Sequence, residues 1–290
     1  MKKIIERLLI FLIGIPAIVV LVLYLPFYNN LIFNIVVILF SGIGAVEFSS
    51  MLEKKNIRMS KIEAFILGII APLAITLNVS LNLPSWLLSV FIMAGTGWVL
   101  LSKIFTHTSN LETVTNRLVG GFSVMIYPGS FMYWIVKMNL WENHGLILVF
   151  LFIIFGNDSI AWLAGTLFGK NNRGIIPASP NKSIAGFIGG LLGSVIVAGV
   201  GAFFFPSVFP VRSEYVTVSN PVSLAVIIGF ITGVAATLGD LAESAIKRSC
   251  DCKDSGNLML GRGGVLDSID SIAAAAPVFY LLSCFFFYGF

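Results

Sequence analysis

Long apolar runs restrict the fold of this chain more than any other feature. Residues 31–51, 146–168 and 222–246 each extend past twenty residues with only one or two charges apiece. An apolar helix of about 20 residues spans the hydrocarbon core of a bilayer. The apolar positions do not fall into the narrow periodic stripes of a soluble core helix. In lipid the backbone must satisfy its own hydrogen bonds, which leaves helices or a closed barrel. The short alternating segments of a barrel are absent. Composition agrees: 57% of residues are hydrophobic and 11% charged, against about 25% charged in soluble domains, and the mean hydropathy is +0.96. The expected fold is all-α, a polytopic integral membrane protein.

Nine spans are expected, at about 8–25, 31–51, 64–77, 86–104, 118–136, 146–168, 184–205, 222–246 and from 265 onward, the third being short. The first resembles a signal peptide, but its apolar run is too long and no small-residue cleavage site follows, so it reads as a retained helix. Asn29-Asn30 reads as a tight turn, and Pro128-Gly129 as a kink or re-entrant break in the fifth span. With the N-terminus inside and nine helices alternating, sixteen of the eighteen basic residues face the cytoplasm, and only Lys137 and Arg212 face out. This places the 169–183 and 247–263 loops on the cytoplasmic side of the cell membrane.

The net charge of +4 comes from these flanking cations and gives no reason to expect a nucleic-acid partner. Three cysteines cannot build a disulfide framework. Cys250-x-Cys252 is a weak zinc signal beside its plainer reading as small loop residues.

Against this background the carboxylates are concentrated. Five of the six aspartates, with Glu243, fall between Gly239 and Asp270. Asp267 and Asp270 are three apart at the start of a helix and share a face, as do Asp240, Glu243 and Lys247 at the end of the preceding one. Carboxylates at the edge of a membrane mark ion or substrate paths. Oxygen ligands around a glycine-rich turn suit Mg²⁺, which takes one or two carboxylates plus substrate phosphates. Lys247, Arg248, Lys253 and Arg262 are placed to hold those phosphates. The plainer reading is a solvated loop in which Asp267 caps a helix and the cations merely flag the cytoplasmic side. Asp158 and Asp240, which follow long apolar runs, are harder to dismiss. A second stretch, Gly169–Gly190, carries Ser179-Pro-Asn-Lys182-Ser183 ahead of a glycine-rich helix. Ser183 is a candidate N-cap there, at a helix end that favours an anion. The spacing is not that of a Walker A loop.

Several of these motifs together resemble the phosphatidate cytidylyltransferases, or CDP-diacylglycerol synthases. The family signature reads Ser, two residues, Lys-Arg, four residues, Lys-Asp, Ser-Gly, Gly-His-Gly-Gly and Asp-Arg-x-Asp. Here it runs Ser244-x-x-Lys247-Arg248, Lys253-Asp254-Ser255-Gly256, Gly261-Arg262-Gly263-Gly264 and Asp267-Ser268-x-Asp270. Gly239-Asp240-x-x-Glu243, Asn157-Asp158 and Ser179-Pro180-x-Lys182-Ser183 also match, so the resemblance covers roughly the C-terminal half. The chain departs at Arg262 (usually His), Ser268 (usually Arg), Asn181 (often Lys) and Ala185 (often Glu).

The resemblance implies that phosphatidate attacks the α-phosphorus of CTP, giving CDP-diacylglycerol and pyrophosphate. No domain boundary, internal repeat or low-complexity tract stands out, so a single membrane domain over 1–290 is expected, with N-terminal helices in 1–140 and catalytic helices and cytoplasmic loops in 141–290. Asp254, Asp267, Asp270 and Lys253 would be catalytic. Asp240, Asp254, Asp267 and Asp270 would hold Mg²⁺ and a second cation. Ser179, Lys182, Ser183, Lys247, Arg248, Arg262 and Asp158 would bind substrate or phosphate. CTP and membrane phosphatidate are the expected partners, with a homodimer as the assembly to look for. Rival readings are a CTP-dependent lipid-alcohol kinase, an inactive homologue kept alive by Arg262 and Ser268, and an ion-coupled transporter. The last is disfavoured because the charges gather at helix ends and no repeats are visible.

Overall fold

A computed structural model describes residues 12–102, 104, 114–141, 143–211, 220–259 and 261–289. Seven of its helices are long and apolar enough to cross a membrane: α2 (Phe27–Glu53), α3 (Lys61–Leu81), α5 (Val114–Trp141), α6 (Gly145–Phe168), α7 (Ile184–Phe204), α8 (Pro221–Ser249) and α9 (Leu266–Tyr288). Two shorter apolar helices, α1 (Leu12–Tyr24) and α4 (Leu87–Leu101), stand where the first and fourth spans were expected. No strand is present among the described residues, only the isolated bridges Arg173–Ser183 and Met259–Gly263. The protein is an all-α polytopic membrane protein; among the described residues seven helices are long enough to span, and the expected count of about nine is neither met nor overturned.

The third span, expected to be short, is not. α3 runs for 21 residues. Its polar first turn, Lys61 to Glu63, is helical although hydropathy trims it away, and Asn82 ends it in the left-handed region at φ 53°. The Asn29-Asn30 turn is present: Tyr28, Asn29 and Asn30 all have positive φ. Pro128 does not break α5, because one π-helical turn over Met125–Ser130 absorbs the missing backbone donor while helix continues on both sides. Lys2, Lys3, Arg7, Lys103 and Arg212, which bear on the charge count, lie outside the described residues.

The chain divides into two compact units. The first joins Met1–Leu140 to the loop segment Lys247–Ile269. In it α2 and α3 approach closely: a Cβ on Gly68 would lie 2.3 Å from that of Ala45. Ser41 Oγ sits 2.8 Å from the Gly68 carbonyl and 2.6 Å from that of Pro128, so one hydroxyl ties three helices. A chain of buried amides does the same near Asn30: Asn30 donates to Asn139 (2.9 Å), Asn139 to Asn34 (2.8 Å) and Asn34 to Ser80 Oγ (3.1 Å). Without a hydrophobic drive between helices in lipid, small residues and such hydrogen bonds hold the bundle.

The second unit joins Trp141–Ile246 to Asp270–Phe290. α6 and α7 meet across glycines, and a Cβ on Gly193 would lie 2.6 Å from the Gly156 carbonyl. Asn157 Nδ2 donates to Ser194 Oγ at 2.9 Å. Trp141 is stacked between Tyr280 and Tyr288, with ring centroids 4.6 and 4.4 Å away. α8 and α9 touch at Gly239, where a Cβ would lie 2.4 Å from that of Ala274. This close crossing sets the acidic residues of the two helices against each other.

Gly68→Val should overpack the α2–α3 contact and cost about 1–3 kcal/mol, lowering Tm by roughly 2–10 °C. A thermal melt of the detergent-solubilised protein reads this, and an unchanged melt would refute the close packing.

Candidate active site

In the first unit the site is built on the segment between α8 and α9. This segment has little regular structure of its own beyond a tight hairpin, in which Met259 N donates to the Gly263 carbonyl (2.8 Å) and Gly263 N returns to that of Met259 (3.1 Å). Its shape is set by one carboxylate. Asp267 Oδ2 accepts from Ser255 N (2.8 Å), Ser255 Oγ (3.0 Å) and Gly264 N (2.7 Å). Asp267 Oδ1 accepts from Lys247 Nζ at 2.6 Å. The two side chains are 12% and 6% exposed. Charge-assisted bonds of this kind are about twice as strong as neutral ones.

Asp267 therefore does not cap its own helix. The backbone amides at the start of α9 are met from another helix: Glu47 on α2 accepts from Val265 N (3.0 Å) and Leu266 N (2.8 Å), and its Oε2 lies 3.0 Å from Ser255 Oγ, whose single proton it shares with Asp267. The glycines make room for these carboxylates. A Cβ on Gly264 would lie 2.1 Å from Ser255 Oγ and 2.3 Å from Glu47 Oε2, and one on Gly256 would lie 2.4 Å from Glu47 Oε1. Gly263, at φ 108°, has the backbone of a residue that tolerates no side chain, and a Cβ there would also lie 2.6 Å from Asp267 Oδ2. An open cleft of about 420 Å³ lies alongside, lined by Val46, Glu47, Ser50, Ser255, Gly256, Asn257 and Leu258.

The other predicted residues of this segment stand at its rim. Lys253, Asp254 and Arg248 are exposed, and Arg262 is half-buried. Arg248 donates to the Cys252 carbonyl at 3.4 Å. Ser268, where the family usually has Arg, donates to the Gly264 carbonyl at 3.2 Å. Lys55 and Asp251 form an exposed bridge of 2.8 Å. Their hydrogen bond raises the lysine pKa and lowers that of the carboxyl. Cys250 is buried, which pushes its thiol up and away from the thiolate a metal needs.

The second unit holds the remaining predicted residues. Ser183 is the expected N-cap: buried at the head of α7, it accepts from Gly186 N at 3.1 Å. Ser179 shapes the preceding turn, its carbonyl accepting from Lys182 N at 3.1 Å. The turn presents Lys182 to Asp240 on α8, and the two form an ion pair. Asp158 lies in the middle of α6. Asp158, Asp240 and Glu243 all act electrostatically on Asp270, which is 7% exposed, while Glu243 is fully buried. Four carboxylates of three helices thus share one polar region.

These donors are hard oxygens, the chemistry of Mg²⁺. No three His, Cys, Asp or Glu side chains converge on one point among the described residues. A cation held there would need oxygen ligands beyond the protein's own, such as waters or phosphate oxygens. Gathered like charges in a region of low dielectric call for bound cations or protons.

A family model described as the cytidylyltransferase family matches residues 5–286. The chain belongs to the cytidylyltransferase family. It is 34% identical over 164 residues to a phosphatidate cytidylyltransferase of Bacillus subtilis and 38% identical over 148 residues to one of Haemophilus influenzae. These alignments cover 56% and 50% of this chain and 56% and 47% of the relatives, so the chain spans about half the length of the curated relatives it matches there. It is also 30% identical to a phosphatidate cytidylyltransferase of Staphylococcus saprophyticus over 92% of this chain and 96% of the relative.

Sequence reasoning passes over two residues that organise this polar segment. Glu47 is the lone charge between Phe27 and Leu52, which is a visible signal. Ser255 was part of the motif, but its role shows only once both carboxylates surround it.

Gly264→Ala should lower Tm by an amount matching about 1–3 kcal/mol, since neither carboxylate can retreat freely. Asp251→Asn should leave Tm within about 1 °C at neutral pH, as exposed bridges contribute little. Asp251 has a lowered pKa, so the bridge's small contribution is present above the ordinary carboxylate range and is lost only as pH falls through that lowered value. Melts from pH 3 to pH 8 read both variants.

Proposed function

We propose that this chain is a phosphatidate cytidylyltransferase. An oxygen of the phosphatidate phosphate forms a bond to the α-phosphorus of CTP, the bond from that phosphorus to the bridging oxygen breaks, and pyrophosphate leaves. The observation that carries this reading is the pairing of each unit's central lysine with an aspartate at the polar end of apolar helices: Lys247 with Asp267, and Lys182 with Asp240.

Joining two polyanions depends mainly on position and on charge neutralisation. A lysine held by a carboxylate is fixed in place, stays charged and can turn to a phosphate oxygen that competes for it. Lys247 and Lys182 are the phosphate-binding groups in this reading, with Lys253, Arg248 and Arg262 at the entrance to the loop. Asp267 keeps the loop closed while Lys247 works. Ser183 and Ser179 set the turn that carries Lys182. Mg²⁺ is the proposed cofactor, with Asp240 and Asp270 as its first ligands, and it would neutralise charge on the triphosphate and the departing pyrophosphate. Asp254 is exposed for the same duty. A second cation is part of the proposal, and the acidic side chains Asp158 and Glu243 share the region that would hold it.

The excess of Lys and Arg in alternate loops supports a cytoplasmic N-terminus and a cytoplasmic active site in the inner membrane. CTP would then arrive from the cytoplasm and phosphatidate from the leaflet.

Purified protein in detergent, given phosphatidate, Mg²⁺ and labelled CTP, should form labelled CDP-diacylglycerol and pyrophosphate, and chelator should stop it. Lys182→Ala and Asp267→Asn should each lower kcat about 100-fold or more. Absence of product from folded wild-type protein that binds CTP would overturn the assignment, as would full turnover in either variant for that residue's role.

A further inference from the structure

Glu47 is far in sequence from every residue that the signature motifs contain. It lies on α2, in a run from Phe27 to Leu52 with no other charge. A lone carboxylate on an apolar helix is expensive unless it is fully engaged. It is engaged by three donors of the loop and helix that carry the site: Val265 N at 3.0 Å, Leu266 N at 2.8 Å and Ser255 Oγ at 3.0 Å.

The Ser255 hydroxyl stands 3.0 Å from Glu47 Oε2 and also 3.0 Å from Asp267 Oδ2. The Ser255 amide holds the same Asp267 oxygen at 2.8 Å, and Asp267 Oδ1 holds Lys247 at 2.6 Å. A continuous path therefore runs from Glu47 through Ser255 and Asp267 to Lys247. Glycines at 256 and 264 are pressed against Glu47 too closely for any side chain. The segment has no sheet and no helix to brace it between α8 and α9, so its anchor must come from outside, and α2 supplies it.

We propose that Glu47 is the positioning residue of this site: it fixes the Asp267–Lys247 pair through Ser255. This rests on the cytidylyl-transfer reading for its kinetic consequence and on geometry alone for its structural one. A carboxylate is required because both oxygens accept. Glutamine has nearly the same shape but only one acceptor oxygen, and its NH₂ would face an N–H or O–H whichever way it turned.

The test uses the full-length protein in detergent, as wild type, E47Q, S255A and the double variant. Two quantities are read: steady-state kinetics, and the acylation of Lys247 relative to Lys182 by N-hydroxysuccinimidyl acetate, resolved by mass spectrometry. E47Q should lower kcat about 30- to 100-fold, the scale of a small misplacement of a reacting group, with the KM for phosphatidate within about twofold. Lys247, loosened from Asp267, should acylate about tenfold faster while Lys182 stays within about twofold, because an ion-paired and enclosed amine is a poor nucleophile. Since Glu47 and Ser255 act in series, the double variant should fall at most about threefold below E47Q.

Full kcat with unchanged Lys247 acylation in E47Q would overturn the proposal. So would equal acceleration at both lysines, which marks general loosening, or losses that multiply in the double variant. If E47Q does not fold, S255A carries the same expectation, since it leaves Glu47 on the helix amides and removes only the link. If wild-type protein makes no CDP-diacylglycerol, cytidylyl transfer is refuted while the ratio of Lys247 to Lys182 acylation still decides whether Glu47 positions the pair.

Discussion

The bonds that Asp267 accepts are the interaction on which the polar part of the first unit depends. One carboxylate receives two backbone amides, a hydroxyl and a lysine, and in doing so draws the two ends of the loop, at Lys247 and Gly264, onto its middle at Ser255. An enclosed charge is tolerable only when its hydrogen-bonding capacity is filled, and removing one partner leaves the others stranded. Closure of the loop and charge of the lysine are thus a single condition. Asp267 and Lys247 are each stable as ions because the other is there, and the geometry that makes them so is the geometry that holds the lysine ready.

The glycines follow from this and not from any need for flexibility. Gly256 and Gly264 lie so near the Glu47 carboxylate that a methyl group would overlap its oxygens. Two carboxylates and a serine must meet the backbone within hydrogen-bond reach, and only hydrogen is small enough at the positions between them. The motif that reads as a loose, glycine-rich turn is in fact a tightly contacted one. The same logic shapes the second unit, where Gly239 brings α8 within 2.9 Å of the Asp270 carbonyl at the position where a Cβ would stand. There, too, close backbone approach sets acidic side chains together.

Much of this was legible in the sequence because its causes are local. Apolar run length located each long apolar helix among the described residues, and Ser183, ahead of a glycine-rich apolar run, gave the cap. The errors have physical reasons. Hydropathy trimmed α3 because its first turn is charged, although a charged turn is helical at a membrane edge as readily as an apolar one. Pro128 reads as a kink or a re-entrant break because its cost to an α-helix is known locally; a π turn, a tertiary accommodation, carries the helix through and leaves only the break overturned. Asp267 offered two readings at the level of the motif, ligand or cap, and its contacts match a third: a loop staple, with capping handed to Glu47. The distance from residue 47 to residue 265 along the chain is what hid that, since no local pattern links them.

Asp267 and Asp270 illustrate why motif and environment must be read separately. They are three residues apart on one helix and share its face. Asp267 is surrounded by donors and needs no further positive charge. Asp270 accepts from the amide of Ser271 at 2.5 Å and stands in the field of Asp158, Asp240 and Glu243, and a second carboxylate nearby opposes its charge while a cation favours it. A single signature therefore contains one carboxylate ringed by hydrogen-bond donors and one set beside other carboxylates. Under cytidylyl transfer the first is suited to hold a lysine in place through turnover. The division arises from three turns of neighbouring helices, and from nothing in the side chains themselves.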